Sequence, residues 1–300
     1  MKLFLAGADD KNWSEIIYKT KHSNFLTTFH SHQKGFNKDW LMWYNKTNNL
    51  GADWIMDSGL FTMMFGAGSN DTYNEKDLLE YTYKYLNSMD EINYNNYIVE
   101  MDVHKVLGLD KLKKFRGIFE KEYDIDKTIY VWHIEEGKDG FDKLCKRYPY
   151  IAISVPELRK VLKGKERIDK FISHLIGRAN KINPNIKIHL LGCTQQGLME
   201  QSGYYSCDST SWLSSGQYGT AHYFNINKIK TVKSNTKAWS EYAKKHRKDF
   251  DFNTISLNKD SNSYKGNYYL NTYLSAKAYI ELNEHINNKH FNGEIVEKLW

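Results

Sequence analysis

Three aspartates, Asp57, Asp102 and Asp208, each follow a short apolar segment. An apolar segment that ends in a carboxylate is typical of a buried strand with a functional side chain at its C-terminal end. Glycosidic chemistry needs two carboxylates, one that attacks or stabilises the sugar carbon and one that transfers the proton. A single aspartate at such a position can also cap the following helix. The recurrence of the pattern favours a catalytic role, and Asp57 and Asp208 are the core of that hypothesis.

The elements that must position these residues are short apolar segments that alternate with helical ones. The predicted strands are Lys2–Ala6, Asn24–Thr28, Trp54–Met56, Tyr97–Met101, Thr128–Trp132, Tyr150–Ile153, Lys187–Leu191 and Tyr205–Cys207. Alternation of this kind implies right-handed βαβ units and a parallel sheet. Eight strands favour an α/β fold of the (β/α)₈ TIM-barrel type, and a doubly wound open sheet is the alternative.

In such a barrel the catalytic groups lie at the C-terminal ends of the strands. The predicted barrel therefore gathers the following side chains around one mouth: Asp57, Asp102, His104, His133, Ser154 and Asp208. The barrel is predicted to occupy about residues 1–225 of a single domain that spans residues 1–300. A flexible loop is predicted at Ser214–Gly219, and a helical C-terminal appendage at about residues 226–300.

Composition limits the class of protein and the cellular compartment that we expect. The 300 residues carry a net charge of +6 and 15% aromatic residues, and the aromatic content argues against disorder. The three cysteines include no C-x-x-C pair, which fits a reducing, cytoplasmic setting and predicts no structural zinc site. Lys2–Ala6 is better interpreted as a first strand than as a signal peptide. No segment reaches transmembrane length, so we expect no membrane contact.

A basic stretch from Lys228 to Lys248 is the clearest concentration of positive charge. It is interleaved with Trp239 and Tyr242. The stretch is either a solvated helix face or a surface that contacts nucleic-acid phosphates. The candidate phosphate contacts are Lys228, Lys230, Lys244, Lys245 and Arg247.

A metal-dependent barrel hydrolase is an alternative interpretation. His30 and His32 form an H-x-H motif after the second predicted strand, and His133 and Asp208 end two later strands. Barrel metallohydrolases use similar residues. However, their H-x-H motif lies on the first strand and a further histidine ends the sixth, where this sequence has Ser154. The favoured prediction therefore includes no metal site.

Several segments, taken in order, resemble the motifs of the tRNA-guanine transglycosylases. Asp57–Phe61 resembles the family's Asp-Ser-Gly-Gly-Phe motif, with Leu60 at the position of the second glycine, and Glu100–Asp102 resembles its fourth-strand aspartate segment. The Tyr-Ala-Ile-Gly-Gly, Met-Gly-Val-Gly-Thr and Phe-Asp-Cys segments correspond to Tyr150–Ser154, Leu190–Thr194 and Cys207–Ser209. The order and spacing agree from about Trp54 to Trp212.

Two departures qualify the resemblance. The family's zinc segment of three cysteines and a histidine is absent, and its sixth-strand glycine pair is replaced by Ser154 and Val155. The sequence is therefore more similar to the DpdA branch, found in phages and bacteria, which exchanges guanine in DNA for a 7-deazaguanine. The tRNA-acting enzyme remains an alternative, as does a barrel that binds nucleic acid without catalysis.

The resemblance implies a role for each matching residue. Asp208 would attack C1′ of the deoxyribose and form a covalent sugar–enzyme intermediate. Asp57 would be the general acid and base, and Asp102 would accept hydrogen bonds from the guanine edge. The remaining base-binding positions implied are Ser58, His133, Ser154, Val155 and Gly192.

The resemblance also implies the partners. The nucleic-acid substrate is DNA with a flipped or single-stranded guanosine, because a paired base cannot reach a barrel mouth. The incoming base is a 7-deazaguanine, such as 7-cyano- or 7-aminomethyl-7-deazaguanine. No cofactor is implied, because the exchange replaces one glycosidic bond with another.

Overall fold

The computed structural model describes residues 1–9, 11–32, 38–65, 73–193, 195–201, 203–246 and 265–291. Eight parallel strands form a closed barrel in chain order, and the eighth pairs with the first. They are β1 (Lys2–Ala6), β2 (Asn24–Thr28), β3 (Asp53–Asp57), β4 (Tyr97–Val99), β5 (Thr128–Trp132), β6 (Tyr150–Ser154), β7 (Lys187–Leu191) and β8 (Ser206–Ser209). Closure confirms the predicted TIM barrel and excludes the open sheet.

The barrel interior is filled by alternate residues of the strands, because successive side chains of a strand point to opposite faces. The residues that pack together there are Phe4, Ala6, Leu26, Ile55, Val99, Ile129, Val131, Tyr150 and Ala152. Two residues further along β3 and β6, the same face carries Asp57 and Ser154, and His133 follows Val131 in the same way. The packed interior therefore ends in a layer of polar side chains at the C-terminal mouth.

The helices surround the strands and bury the residues that face away from the barrel interior. They are α1 (Lys11–Lys19), α2 (Phe29–His32), α3 (Lys38–Asn48), α4 (Leu60–Phe65), α5 (Glu75–Glu91), α6 (His104–Leu107), α7 (Leu109–Glu122), α8 (Gly137–Arg147), α9 (Val155–Val161), α10 (Lys165–Ile182), α11 (Gln196–Met199), α12 (Ser211–Gln217), α13 (Lys237–His246) and α14 (Lys265–Phe291), with a 3₁₀ turn at Ile134–Glu136. Within these described elements, no helix is long and apolar enough to cross a bilayer.

The segment after the barrel differs from the prediction. Strands β9 (Thr220–Asn225) and β10 (Lys228–Lys233) form an antiparallel hairpin, so the appendage is only partly helical. The predicted loop at Ser214–Gly219 is largely the end of α12. Both errors have one cause: the hairpin is stabilised by α14, which lies far along the chain. For example, Ser275 of α14 accepts a hydrogen bond from the His222 backbone at 2.9 Å.

Candidate active site at the barrel mouth

Asp208 is held by two hydrogen-bond donors on β7 and the turn that follows it. The side chain is 10% exposed. Its Oδ1 accepts hydrogen bonds from His189 Nε2 at 2.9 Å and from the Gly192 backbone at 3.0 Å. Within the described part of the chain both of these bonds end at Oδ1. Gly192, which was predicted to bind the base, donates through its backbone to the predicted nucleophile.

His189 is itself fixed by a buried chain of hydroxyl groups. Its Nδ1 lies 2.7 Å from Ser206 Oγ, which lies 2.6 Å from the Tyr150 hydroxyl. All three side chains are fully buried. Because one ring nitrogen bonds Ser206, the other is oriented toward Asp208. Sequence analysis missed His189, although its position two residues before Leu191 on β7 places it on the inward face.

Asp57 lies at the end of β3, where a tight turn begins. Its Oδ1 accepts a hydrogen bond from the Gly59 backbone at 2.6 Å. Gly59 has a φ of +73°, and a Cβ there would lie 2.5 Å from Cβ of His30. Ser58 is 3% exposed, and its Oγ accepts a hydrogen bond from the Leu60 backbone at 3.3 Å. Ser58 therefore supports the turn.

The environment of Asp57 favours its protonated form. Burial raises the pKa of Asp57 to about 6, against the lowering effect of the Gly59 hydrogen bond, and the carboxylates of Asp208, Asp102 and Asp9 raise it further. Asp9 is a fourth acidic residue here, one that sequence analysis missed. The three predicted aspartates thus lie close enough to influence one another, as the barrel geometry required.

The third aspartate belongs to what we call the imidazole cluster: Asp102, His104, His133 and Glu157. The two histidine rings are stacked, with centroids 3.5 Å apart and an angle of 21° between their planes. Asp102 Oδ1 lies 2.5 Å from His104 Nδ1 and 3.1 Å from His133 Nε2. On the other side, Glu157 Oε1 lies 3.1 Å from His104 Nε2 and Oε2 lies 3.2 Å from His133 Nδ1.

The ion pairs within the imidazole cluster outweigh the effect of burial. Burial lowers the pKa of His133, but its ion pairs with Asp102 and Glu157 raise it to about 9. The pKa of His104 is raised for the same reason. Burial raises the pKa values of Asp102 and Glu157. The histidines nevertheless hold the pKa values of both carboxyl groups far below their ordinary range.

A buried ion network contacts the imidazole cluster through the backbone of His133. Arg116 Nε donates to both oxygens of Glu100 at 3.0 and 3.1 Å, and Nη1 donates to Glu136 Oε1 at 2.6 Å. Glu136 Oε2 in turn accepts a hydrogen bond from the His133 backbone at 3.0 Å. Burial raises the pKa of Glu100 to about 7, although Arg116 opposes the shift. The network therefore fixes the end of β5, where His133 lies.

The other predicted base-binding residues form the start of α9. Ser154 is the N-cap of this helix, and its Oγ accepts a hydrogen bond from the Glu157 backbone at 3.4 Å. Val155 is fully buried. The Ser154 hydroxyl thus holds the turn that delivers Glu157 to the imidazole cluster. Glu157 is a further residue that sequence analysis missed.

The predicted phosphate contacts do not lie on one helix face. Lys228 and Lys230 are exposed on β10, while Lys244 and Lys245 are exposed on α13. Lys245 forms an ion pair with Glu281 of α14. Arg247 lies outside the described residues.

The residues of the alternative metal site, which are His30, His32, His133 and Asp208, do not form one cation-binding group among the described residues either. His32 is buried in α2, where its Nε2 lies 2.9 Å from Thr27 Oγ1. Among the described residues, the groups able to hold a cation are Asp102, His104 and His133, and His104, Glu135 and Glu157. His133 is therefore the one member of the predicted set that lies in either group.

Comparison with known proteins adds little to this geometry. No family model matches the chain. No curated protein matches it either. Among solved structures, the chain is similar to OMP decarboxylase of Leishmania donovani, with a TM-score of 0.35 and 10% identity over 69% of this chain and 83% of that one.

Proposed function

We propose that this protein is a transglycosylase that exchanges guanine in DNA for a 7-deazaguanine base. The observation that carries the proposal is the difference between two carboxyl groups at one barrel mouth. Asp208 has one oxygen held by two donors, while the pKa of Asp57 is raised to about 6. A nucleophile needs a fixed carboxylate, and a general acid needs a proton that it can release near neutral pH.

The proposed reaction assigns one half of the chemistry to each residue. Asp208 Oδ2 attacks C1′ as the bond to N9 of guanine breaks, and protonated Asp57 gives its proton to the departing base. The incoming 7-deazaguanine then loses its N9 proton to Asp57, and N9 displaces Asp208 from C1′. One glycosidic bond is broken and one is formed, so the proton and the electron pairs balance without an oxidant or a reductant.

The base and the nucleic acid need separate recognition. We assign the guanine edge to Asp102, whose carboxyl group is 39% exposed at the mouth and stays ionised because the histidines lower its pKa. DNA is proposed as the substrate for two reasons. The motifs resemble those of the transglycosylases while the zinc segment is absent, and the net charge is +6. The target base must leave the duplex to enter the mouth.

The test is base exchange by the purified protein. DNA with labelled guanine and matched tRNA are each incubated with unlabelled 7-cyano- or 7-aminomethyl-7-deazaguanine, and the nucleosides are analysed by mass spectrometry. We expect a modified deoxynucleoside, and no product from Asp208→Asn. Asp53→Asn is the matched control, because Asp53 lies at the far end of β3 and pairs with Lys2. A modified ribonucleoside would indicate the tRNA enzyme, and no exchange in either substrate would refute the proposal.

A metal-dependent hydrolase is the second candidate. The observation that favours it is the imidazole cluster, whose histidines and carboxylates have the residue types of a metal site. An assay of phosphodiesterase or amidohydrolase activity, with and without added metal, distinguishes the two candidate functions. A hydrolase would show activity that depends on the metal, whereas base exchange by the proposed route uses Asp208 as the nucleophile.

A further inference from the structure

The two histidines of the imidazole cluster are oriented in the way that metal-binding histidines are oriented. A histidine that binds a metal through one ring nitrogen usually donates the other N–H to a carboxylate. Here both oxygens of Glu157 are used, one for each ring, at 3.1 and 3.2 Å. If these nitrogens donate to Glu157, the remaining nitrogens carry lone pairs. Those are His104 Nδ1 and His133 Nε2, and both lie beside Asp102 Oδ1.

A buried ring nitrogen without a hydrogen bond points to a ligand at the same place. His133 is fully buried, and its Nε2 has no hydrogen-bond partner in the described part of the chain. The atom lies 3.1 Å from Asp102 Oδ1 without the alignment of a hydrogen bond. A buried polar atom without a hydrogen bond is costly, and a metal ion is one of the few groups that can satisfy it.

The separation of His133 Nε2 and Asp102 Oδ1 fits a shared ion. Ligands at about 2.1 Å from one ion lie about 3.0 Å apart at a right angle and about 3.4 Å apart at the tetrahedral angle. The distance between His133 Nε2 and Asp102 Oδ1 falls in this range, at 3.1 Å. The 2.5 Å distance from His104 Nδ1 must lengthen by about half an ångström, which a small rotation of the half-exposed carboxyl group achieves.

The opposite side of the cluster is already neutralised. Lys105 forms ion pairs with Glu135 and Glu157, at 2.8 Å from the latter. A divalent ion between His104 and these glutamates would displace the ammonium group or be repelled by it. The Asp102 side has no such cation among the residues described, and the carboxyl group there is 39% exposed to the mouth.

We propose that Asp102, His104 and His133 bind one divalent first-row transition-metal ion, with Glu157 as the residue that orients both histidines. Two imidazole nitrogens and one carboxylate oxygen suit Zn²⁺, Mn²⁺ or Fe²⁺ better than the oxygen-preferring Mg²⁺ and Ca²⁺. Three protein ligands leave coordination positions for a substrate atom or water at the mouth. The proposal concerns cation binding alone and does not depend on which reaction the barrel catalyses.

Direct binding to the full chain tests the proposal. Protein treated with EDTA and then desalted is titrated with Co²⁺, whose visible absorption reports nitrogen and oxygen coordination, and with Zn²⁺ in a calorimeter. We expect one equivalent of each ion to bind. His104→Ala and His133→Ala should each weaken binding at least 100-fold, and Glu157→Gln about 10- to 100-fold. His189→Gln is the matched control, since His189 is another buried barrel histidine beside an aspartate but lies outside the cluster, and it should bind normally.

The wild-type titration decides the question even if a histidine variant does not fold. Absence of stoichiometric binding to the wild type overturns the proposal. So does binding that survives in the folded variants of His104 and His133, because the ion then lies elsewhere. Failure of base exchange with intact Co²⁺ binding would refute only the proposed reaction.

Discussion

Replacing Asp57 with asparagine should stabilise the folded protein at neutral pH. The pKa of Asp57 is raised to about 6 from an ordinary value of 3.8. A carboxyl group with a raised folded pKa binds its proton more tightly in the folded state than in the unfolded state. Folding stability therefore falls as pH rises from about 4 to about 6, and the deficit persists at neutral pH. Asparagine carries no charge and avoids this loss.

The size of the expected stabilisation follows from the pKa shift of Asp57. Two pKa units correspond to about 3 kcal/mol at full effect. Asp57 is only partly buried, so solvent screening reduces the expected gain to about 1–2 kcal/mol. The Gly59 hydrogen bond to Oδ1 can be retained, because asparagine keeps an oxygen there. The same variant should lose base exchange, since it cannot carry the proton.

Urea unfolding of the wild type and Asp57→Asn at several pH values between 4 and 7.5 measures the effect. The two curves should converge near pH 4 and separate by about 1–2 kcal/mol above pH 6. Asp53→Asn serves as the control, because its partly exposed ion pair with Lys2 should give a loss of about 0–1 kcal/mol at neutral pH. A difference that does not change with pH, or an Asp57→Asn protein no more stable than the wild type at pH 7, would refute the reasoning.

Three further predictions concern the residues that hold the site. Arg116→Met should lower the free energy of unfolding by about 3–5 kcal/mol, because Glu100 and Glu136 both lose their buried cationic partner. Arg147→Met breaks an exposed pair with Glu120 and should cost about 0–1 kcal/mol in the same urea experiment. His189→Gln should reduce the maximal exchange rate about 100-fold through misplacement of Asp208, with little change in KM for the DNA, and an unchanged rate would show that His189 does not position Asp208. Gly59→Ala should lose about 1–3 kcal/mol in thermal unfolding, since its φ is +73°, while Gly177→Ala in the exposed face of α10 should gain up to about 1 kcal/mol.

The barrel itself could be predicted because each strand has a recognisable local sequence pattern. A short apolar run, a polar end and a following helix recur along the chain, and this repetition is enough to define a parallel closed sheet. Asp57 lies at a predicted strand end for this reason, and Asp208 lies in β8 one residue before the strand ends. The hairpin of β9 and β10 could not be predicted in the same way. The hairpin is stabilised by α14, whose Ser275 lies 53 residues beyond His222 of β9.

The supporting residues of the site were missed for a related reason. His189 and Glu157 carry no local signal: one is a histidine within a strand and the other an acidic residue in the first turn of a helix. Their importance arises from the barrel register, which pairs Leu190 with Cys207 and so brings His189 close to Asp208. Ser58 and Gly192 were predicted to bind the base. In the structure Ser58 Oγ accepts a hydrogen bond from the Leu60 backbone, and the Gly192 backbone donates one to Asp208.

The hydrogen-bond partners of the aspartates divide the chemistry among them. Asp102 lies against two histidines, which hold its pKa far below the ordinary range and favour its ionised form. Asp57 has one backbone donor and three acidic neighbours, so it exchanges its proton near pH 6. A reaction at this mouth that needs an acid and then a base must therefore use Asp57 for the proton. In the proposed reaction Asp208, with Oδ1 fixed by two donors, is the group that forms the bond to carbon.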